Sequence, residues 1–480
     1  MTLEPVRTGS HPEPFSPEIM RDAWGYKLVS YSLALEAWRR GLTVRVLDGS
    51  IRRFSVADGE RTVRFDKSRP STTSHTAVVL EQDKAAANQR LAAAGVPTPE
   101  TSVVDVSRQS EQALYDAVHA KGWPVVLKPA RGSMGRGVFT DVRDDATVES
   151  CLRILRDEMA VDQIIVERHV PGDDHRVLVV AGRAVAACRR DPANVVGDGD
   201  HTVEELVAAK NRARAANPHL TSIGWDAETD RYLAAQGLAL DAVPTAGQTV
   251  RLRGKANASA GGDSIDVTGR LPEHVLTIAE NAARAIPGLV VAGVDVLYSP
   301  EGADGAPESC AVIEINSRPG IAIHMYPWEG TGRDVPREII DAVFPDSQPP
   351  GAADAQLHWP LRPVLDLIGD GVASEVEIAP VPAHRFAHRR RFRLTGGITV
   401  TSRQRSRLVY GVKKLGVTGS LTARTTADGE TETEMIVCGP RWAVRSFTAH
   451  AGKVLGVDWG SGEPWKGPVT PGFDLSSPNP

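Results

Sequence analysis

The stretch that decides the fold is Ile313-Glu314-Ile315-Asn316-Ser317-Arg318-Pro319-Gly320. Its apolar beginning predicts a strand over Cys310–Ile315, and a second buried strand is predicted over Leu289–Tyr298. Glu314 and Asn316 lie two residues apart, so a strand places both side chains on the same face. The second strand carries Asp295 in an apolar run, where a carboxylate is costly unless it is paired or binds a metal ion.

Asp295, Glu314 and Asn316 form an all-oxygen set of two carboxylates and one amide. Such ligands suit a magnesium ion that bridges the phosphates of a nucleotide. The alternative is a pair of structural carboxylates that Arg318 or backbone N–H groups satisfy. Both interpretations stay open on these residues alone.

A glycine-rich loop lies further upstream, in Lys128-Pro129-Ala130-Arg131-Gly132-Ser133-Met134-Gly135-Arg136-Gly137-Val138. A strand over Trp123–Pro129 delivers the lysine, and glycines let backbone N–H groups approach phosphate oxygens closely. The loop does not fit a Walker motif, which needs Gly-Lys-Ser/Thr at the start of a helix. It is not a dinucleotide fingerprint either, because no helix follows at once. The alternative is a mobile glycine loop on the surface.

A turn at Pro171-Gly172 separates two predicted strands, Gln163–Glu167 and His175–Val180. A hinge of this kind can hold adenine through backbone groups, with Asp174 placed to accept hydrogen bonds from ribose hydroxyls. The alternative is an ordinary hairpin with a polar turn.

These features, in this order, resemble the ATP-grasp superfamily, and more closely the ATP-grasp domain of cyanophycin synthetase and of the fused glutathione synthetases. The resemblance covers about Val78–Pro345. The stretches that carry it are Val166–Val180, Val195–Leu206, Ala256–Thr268 and Ile313–Gly330.

The resemblance implies a nucleotide site and a metal site. The residues implied to bind ATP are Lys84 and Lys128 at the phosphates, Gly132, Ser133, Gly135 and Gly137 in the closing loop, Glu167 and the backbone near Val170 at adenine, and Asp174 at ribose. Asp295, Glu314 and Asn316 are implied to hold two Mg²⁺ ions, with Mn²⁺ as the alternative metal.

The resemblance also implies groups that contact the substrates. The catalytic residues are Arg176, which would face the acyl-phosphate or a substrate carboxylate, and Arg318. Asn257, Ser259 and His324 are the expected substrate residues. Structural ion pairs are the alternative role of the two arginines, and packing is the alternative role of the histidine.

The predicted fold class is α+β, with an ATP-grasp fold in which two α+β subdomains clasp ATP. A small α/β domain precedes it, and a ferredoxin-like, acylphosphatase-type domain follows it. The predicted boundaries are 1–20 for a flexible N-terminus, 21–77 for the N-terminal domain, 78–347 for the ATP-grasp domain, 348–384 for a linker, 385–465 for the last domain and 466–480 for a flexible tail.

The resemblance of the last domain to acylphosphatase runs from Gly397 through Arg405 to Leu415-Gly416. Its loop has lost the internal glycines, and Ala423 occupies the position of that family's catalytic asparagine. The expected role is therefore non-catalytic, in packing, dimerisation or substrate cover; acyl-phosphate binding by Arg405 is the alternative. The basic run His388–Arg393 is expected to be a solvated strand edge.

Composition is that of an ordinary globular protein, with 41% hydrophobic and 24% charged residues and a net charge of −5. This charge gives no reason to expect a nucleic-acid or membrane partner. The four cysteines are far apart in the sequence and form no CxxC pair, which fits a reducing cytoplasm.

The functional prediction is an ADP-forming ligase that joins a carboxylate to an amine through an acyl-phosphate. Amino acids or small peptides are the expected substrates, and a homodimer is the expected assembly. No Gly-Lys-Thr/Ser loop follows residue 345, so a second, Mur-type ligase domain and polymerase activity are not expected. The alternatives are a ligase that modifies a protein acceptor and a nucleotide-binding module without turnover.

Overall fold

The computed structural model describes residues 8–132, 136–300, 307–351, 354–380, 386–425 and 430–475. Within these ranges, the helices are α1 (Leu28–Arg39), α2 (His75–Gln82), α3 (Lys84–Ala93), α4 (Glu111–Lys121), α5 (Asp145–Arg153), α6 (Val203–Arg214), α7 (Ala227–Ala235), α8 (Glu273–Ala285), α9 (Ala322–Met325), α10 (Val335–Val343), α11 (Leu361–Gly369), α12 (Ser402–Leu415) and α13 (Arg441–Leu455).

The strands alternate with these helices along the chain. They are β1 (Thr43–Val46), β2 (Arg53–Ala57), β3 (Thr62–Asp66), β4 (Arg69–Pro70), β5 (Thr101–Asp105), β6 (Val125–Pro129), β7 (Phe139–Val142), β8 (Gln163–Arg168), β9 (Asp173–Val180), β10 (Arg183–Asp191), β11 (Asn194–Val196), β12 (Thr249–Arg251), β13 (Asp263–Asp266), β14 (Val291–Ser299), β15 (Ser309–Asn316), β16 (Val376–Ile378), β17 (His388–Thr395), β18 (Thr418–Thr425), β19 (Thr431–Gly439), β20 (Glu463–Pro464) and β21 (Phe473–Asp474).

The chain divides into two compact units. Unit 1 comprises the described residues up to Pro12, Trp24–Val29 and Val63–Val343. Unit 2 comprises Glu13–Ala23, Ser30–Thr62 and the described residues from Phe344 onward. The α+β class predicted from the sequence is confirmed, since both units combine helices with mainly antiparallel sheets.

The largest sheet of unit 1 has the strand order β13-β10-β9-β14-β15, and every neighbouring pair is antiparallel. One face of this sheet is apolar and packs on α8. That helix repeats small or apolar residues with helical spacing, at Val275, Ala279, Ala282 and Ala283, and all four are buried against the sheet. The polar residues of the same strands therefore lie on the opposite face.

A second sheet of unit 1 has the order β5-β8-β6-β7, also with antiparallel neighbours. Its core is closed by α4 and α5, which bury residues such as Leu114, Val118 and Leu152 against the strands. Helices α2 and α3 precede the strands of both sheets in the chain, and Asp83 caps α3 by accepting a hydrogen bond from the Ala86 N–H. The predicted helix over Asp83–Ala94 and the predicted strand pair of β14 and β15 are confirmed within a few residues.

Unit 2 contains a second core around the sheet β20-β17-β19-β18-β21, which α12 and α13 cover. The order strand, helix, strand, strand, helix, strand agrees with the prediction. The expectation that the basic run is a strand edge is wrong at Arg390 and Arg391, because β20 pairs with β17 at these two residues.

Three predicted boundaries need correction. The segment 348–384 is not only a linker, because it forms α11 and β16, and β16 pairs with β1. This long-range pairing also divides the predicted domain 21–77 between the two units. The predicted flexible tail contains β21, which pairs in parallel with β18.

The described part of the predicted flexible N-terminus is also ordered. The Gly9 N–H donates to the Trp328 carbonyl at 2.7 Å, and Phe15 and Met20 are fully buried. The prediction from composition was wrong because this Pro- and Glu-rich stretch also contains apolar residues that are buried. Within the described residues, no helix is both long enough and apolar enough to cross a membrane.

Candidate active site

The polar face of the largest sheet carries the predicted metal and arginine positions in one row. Arg176 on β9 lies directly opposite Asp295 on β14, and Asp295 lies directly opposite Glu314 on β15. Cβ atoms of such opposite residues are about 4.5–5.5 Å apart, so one cationic and two anionic side chains are neighbours, with Asp295 in the middle. Asn316 follows two residues after Glu314 on the same face and lies opposite Gly293.

Asp295 is buried and is held by two arginines. The Arg176 Nη2 donates to Asp295 Oδ2 at 3.0 Å, and Arg176 Nε donates to Oδ1, so the contact is bidentate. Arg190 Nη2 on β10 lies 3.2 Å from the same Oδ2 atom. Burial by itself raises the pKa of Asp295, but Arg176 and Arg190 together outweigh it and hold this pKa below its ordinary value.

Gly293 makes room for this arrangement. A Cβ atom at Gly293 would lie 3.0 Å from Arg176 Nη1 and 2.7 Å from the Cβ of Pro319. Any larger residue would therefore displace the guanidinium that lies across the strand. Gly293, two residues before Asp295, is therefore required for the packing of the site.

Asp174 lies next to this row, where its carboxylate accepts a hydrogen bond from Arg190 Nη2 at 2.5 Å. Burial raises the pKa of Asp174 above its ordinary value, although Arg190 opposes that shift. The side chain predicted to contact ribose is thus held by an ion pair on the polar face of the sheet.

Lys84, the first residue of α3, contacts the row at its other end. Its Nζ atom lies 3.3 Å from Glu314 Oε1, and the glutamate side chain remains one-third exposed. The predicted phosphate lysine and the predicted metal ligand are therefore neighbours, and both retain access to solvent.

Lys128 and Glu167 form a buried ion pair on the second sheet. Lys128 on β6 places Nζ 2.7 Å from Glu167 Oε2 on β8, and the two side chains are only 9% and 6% exposed. Thr101 Oγ1 lies 3.4 Å from Glu167 Oε1 and accepts a hydrogen bond from Asn88 Nδ2 at 2.7 Å. Since Asn88 belongs to α3, this helix connects the Lys128 pair on one sheet to Glu314 on the other.

The glycine loop is described only in part, because Ser133 and Gly135 lie outside the described residues. Gly132 and Gly137 both adopt positive φ angles, of 148° and 68°. A Cβ atom at Gly137 would lie 2.9 Å from the Met159 Cε atom. Val170 lies between β8 and β9 and is half-buried, at the predicted hinge.

His324 is the most unusual of the predicted substrate residues. It is 3% exposed, and neither ring nitrogen has a hydrogen-bond partner within the described residues. Burial, assisted by the nearby charge of Arg176, lowers the pKa of His324 to about 3. A neutral, unpaired imidazole therefore lies near the arginines of the polar face.

The remaining predicted substrate and catalytic residues lie elsewhere in unit 1. Arg318 donates to Asp66 Oδ2 at 2.5 Å, which agrees with the ion-pair alternative without excluding substrate contact. Asn257 immediately precedes a short 3₁₀ turn over Ala258–Ala260, and its carbonyl accepts a hydrogen bond from the Gly262 N–H. Ser259 lies in that turn and is exposed.

The part of the chain that carries this site is similar to a known protein family. Residues 81–200, which include Lys84, Lys128, Glu167 and Arg176, match the family described as the RimK-like ATP-grasp domain. These residues belong to an ATP-grasp domain. The whole sheet β5-β8-β6-β7 and the strands β9 and β10 of the sheet β13-β10-β9-β14-β15 lie within the matched residues.

Relatives that match this part of the chain are named for the synthesis of cyanophycin and of glutathione. The chain is 35% identical over 295 residues to a cyanophycin synthetase of Geminocystis herdmanii, covering 61% of this chain and 33% of that protein. It is 30% identical over 342 residues to a glutathione biosynthesis bifunctional protein of Desulfotalea psychrophila, covering 70% of this chain and 43% of the relative. The chain therefore spans only a third to less than half of these curated relatives.

A solved structure supports the same fold. The bifunctional glutathione synthetase from Pasteurella multocida superposes with a TM-score of 0.52 at 27% sequence identity, covering 66% of this chain and 43% of that chain.

The ATP-grasp domain has oxygen donors that fit a divalent cation. Asp295 and Glu314 face each other across two strands, and the Asn316 amide lies on the same face. Within the described residues, no group of three or more His, Cys, Asp or Glu side chains is arranged to hold a metal. The candidate set has only two carboxylates, and a cation there has to share Asp295 with Arg176 and Arg190.

Two groups in the ATP-grasp domain escaped the sequence analysis. Arg190 contacts both Asp174 and Asp295 from β10, where it lies opposite Asp174, and no local pattern in the sequence singled it out. The second is the buried Asp263 carboxylate, which accepts from Lys210 Nζ at 2.5 Å and from Arg214 Nη1 at 2.6 Å. No local pattern joins these three residues, since they come from α6 and β13.

Proposed function

We propose that this protein is an ATP-dependent carboxylate–amine ligase that forms an amide bond through an acyl-phosphate and releases ADP and phosphate. The observation that carries the proposal is the connection made by α3. It links the buried Lys128–Glu167 pair to the Lys84–Glu314 pair and so to the Asp295–Arg176 row. Cationic and carboxylate groups are thereby connected across both sheets of an ATP-grasp domain.

Lys84 and Lys128 supply the positive charge for nucleotide phosphates in this proposal. Lys128 is fixed by Glu167, so its ammonium group keeps one position without a nucleotide. A preorganised cation costs little reorganisation when phosphate charge arrives, which is the condition for effective electrostatic stabilisation.

Asp295, Glu314 and Asn316 are the residues that would hold magnesium. The metal, when bound, supplies positive charge that offsets the negative charge of a phosphoryl group in transfer. Arg176 holds Asp295 from the opposite side and presents its guanidinium to the polar face, where a carboxylate or acyl-phosphate substrate is bound in our proposal.

The reaction has two steps. A carboxylate oxygen of the substrate attacks the γ-phosphorus of ATP, which breaks the bond to ADP and forms the acyl-phosphate. An amine then attacks the acyl carbon, loses a proton and expels phosphate, leaving the amide. Water has to be excluded from the site while the acyl-phosphate is present, because water would hydrolyse it.

Amino acids or small peptides are the proposed substrates. The relatives named for cyanophycin and glutathione biosynthesis support this class. The arginines of the polar face provide planar donors for a carboxylate, and the neutral His324 lies in their neighbourhood. A ligase that modifies a protein acceptor is the alternative.

The test is ADP formation with the full chain, ATP and magnesium, first with each single amino acid and then with pairs, reading products by mass. Glu314→Gln is the site variant, and Glu308→Gln is its matched control, because Glu308 lies at the start of the same segment in an exposed pair with His274. We expect Glu308→Gln to retain ADP formation and Glu314→Gln to lose at least about 100-fold, equal to about 2.7 kcal/mol.

Equal rates in both variants would overturn the assignment of Glu314. ADP release that occurs only with a folded protein acceptor would replace the small-molecule acceptor by a protein. Absence of ADP release with every amino acid, pair and protein acceptor would overturn the ligase proposal.

The acylphosphatase-like part is proposed to be non-catalytic. Arg405 lies in the first turns of α12, and its guanidinium donates to the Leu475 carbonyl, which supports a structural role. We also propose that the protein forms a homodimer and is located in the cytoplasm. The four cysteines are free thiols, which is compatible with that location.

A further inference from the structure

Unit 2 contains a cavity of about 890 Å³ beside α13 and the first half of β17. This volume lies within the range of about 300–1,000 Å³ that is usual for small-molecule sites. Its apolar wall includes Phe392 and Trp459, whose rings meet edge to face at 6.3 Å. The loop Gly397–Arg405 does not line it, so it is separate from the acylphosphatase-like motif.

The charged residues of this cavity are almost all cationic. They are Arg390, Arg441, Arg445 and Lys453, with Asp458 as the single lining carboxylate. The chain as a whole has a net charge of −5, so this concentration of positive charge is local. Burial, together with the charges of Arg441 and Arg390, lowers the pKa of His388 on the same wall.

Three of these cations are unpaired. Within the described residues, the side chains of Arg441, Arg445 and Lys453 make no hydrogen bond or ion pair with a carboxylate. Arg390 differs, because its Nη2 donates to the carbonyls of Ser461 and Gly462 at 2.5 and 2.8 Å and so holds the loop that forms one wall.

The placement of the two helical arginines is unfavourable for α13 itself. Arg441 and Arg445 are four residues apart on one face, where like charges repel. Arg441 also stands in the first turn of a 15-residue helix that has no acidic residue there, although the helix dipole favours negative charge at this end. Helix stability therefore does not explain these arginines.

We propose that this cavity binds a small organic anion that carries at least two negative charges and an apolar or aromatic part. Arg441, Arg445 and Lys453 contact the charged groups, and the apolar part packs against the Phe392 and Trp459 wall. Phosphate and carboxylate groups share the required chemistry, because guanidinium groups bind both through paired hydrogen bonds. The inference concerns a different unit from the proposed ligase site and does not depend on the ligase activity.

The experiment is a fluorescence titration of the full chain with 4,4′-dianilino-1,1′-binaphthyl-5,5′-disulfonate, an aromatic probe that carries two negative charges. Inorganic pyrophosphate and citrate serve as competitors for the phosphate and carboxylate arms. The site variant is Arg441→Gln/Arg445→Gln. The matched control is Arg403→Gln/Arg407→Gln, which removes an equally exposed pair with the same spacing from the neighbouring α12.

We expect a competitor-displaceable component of binding in the unmodified chain and in the control, and an increase of at least tenfold in its apparent Kd in the site variant. Displacement by pyrophosphate alone assigns the site to phosphate ligands, and displacement by citrate alone assigns it to carboxylates. Displacement by both supports the shared anion chemistry. Equal affinity in the site variant and the control, or no displacement by either competitor, would overturn the proposal.

Discussion

Lys128 Nζ lies 2.7 Å from Glu167 Oε2 on the neighbouring strand, and both side chains are nearly inaccessible to solvent. A buried ion pair is tolerated only because each charge compensates the other. The pair therefore couples the stability of the four-stranded sheet to the position of a lysine that we assign to nucleotide phosphates.

Lys128→Met should expose this coupling, because it leaves the Glu167 carboxylate buried without its partner. We expect the free energy of unfolding in urea to fall by about 3–5 kcal/mol and ADP formation to be lost. Lys128→Met/Glu167→Leu should recover most of the stability without recovering activity. Unfolding of the single variant at the same urea concentration as the unmodified chain would contradict the buried pair.

Asp263 is a second buried charge in unit 1 whose removal should destabilise the fold. Its carboxylate holds Lys210 and Arg214, and both cations also lie within 6 Å of the Trp328 ring centroid, at 4.9 and 5.7 Å. Asp263→Asn leaves two buried cations without an anion, so we expect about 3–5 kcal/mol of destabilisation. Thermal and urea unfolding measure it, with Asp241→Asn as an exposed control; comparable stability of the two variants would be incompatible with this interpretation.

The burial of His324 predicts a pH dependence. The unfolded chain takes up a proton near pH 6.5, whereas the folded pKa is about 3. Between these values only the unfolded state is protonated, so stability falls as pH falls, by at most about 1.4 kcal/mol per pH unit. Above pH 6.5 the residue has no such effect.

Urea unfolding at pH 7.5, 6.5, 5.5 and 4.5 checks this prediction against His324→Phe, which retains every other histidine. The difference in free energy of unfolding between the unmodified chain and the variant should be constant above pH 6.5. Below pH 6.5 the unmodified chain should lose stability relative to the variant. Parallel stability curves over the whole range would show that His324 is protonated in the folded state as readily as in the unfolded state.

Much of the site was predictable because strand periodicity is local. The spacing of Glu314 and Asn316 was sufficient to place these two residues on one strand face. Asp295 joins them because β14 pairs with β15 in a register that sets Asp295 opposite Glu314. The ion-pair partners were not predictable in the same way. Arg190 reaches Asp295 only because β10 lies beside β9, and strand order depends on long-range packing that a single sequence does not display.

The domain boundaries failed for a related reason. A composition rich in Pro and Gly indicated a linker over 348–384, yet β16 pairs with β1, more than 300 residues earlier in the chain. The tail was misjudged in the same way, because Phe473 packs against Phe447 at a centroid distance of 5.0 Å. Short strands at the end of a chain carry too little local pattern to be recognised.

Arg318 has two possible roles that kinetics can separate. It donates to Asp66, which also accepts a hydrogen bond from Arg69 at 3.2 Å, and both side chains of the Arg318 pair are partly exposed. We expect Arg318→Met to lower kcat/KM by at least about 100-fold, and Asp66→Asn by less than about tenfold, because only the first variant removes the guanidinium. Each should change stability by less than about 1 kcal/mol; equal kinetic losses would assign Arg318 to a structural role.

Isotope transfer tests the central claim most directly. Amino acids labelled with ¹⁸O in their carboxylates are incubated with the full chain, ATP and magnesium, and the released phosphate is analysed by mass spectrometry. An acyl-phosphate pathway predicts that one ¹⁸O atom per turnover appears in inorganic phosphate, together with ADP. Amide formation with unlabelled phosphate, or with label in AMP, would contradict the account.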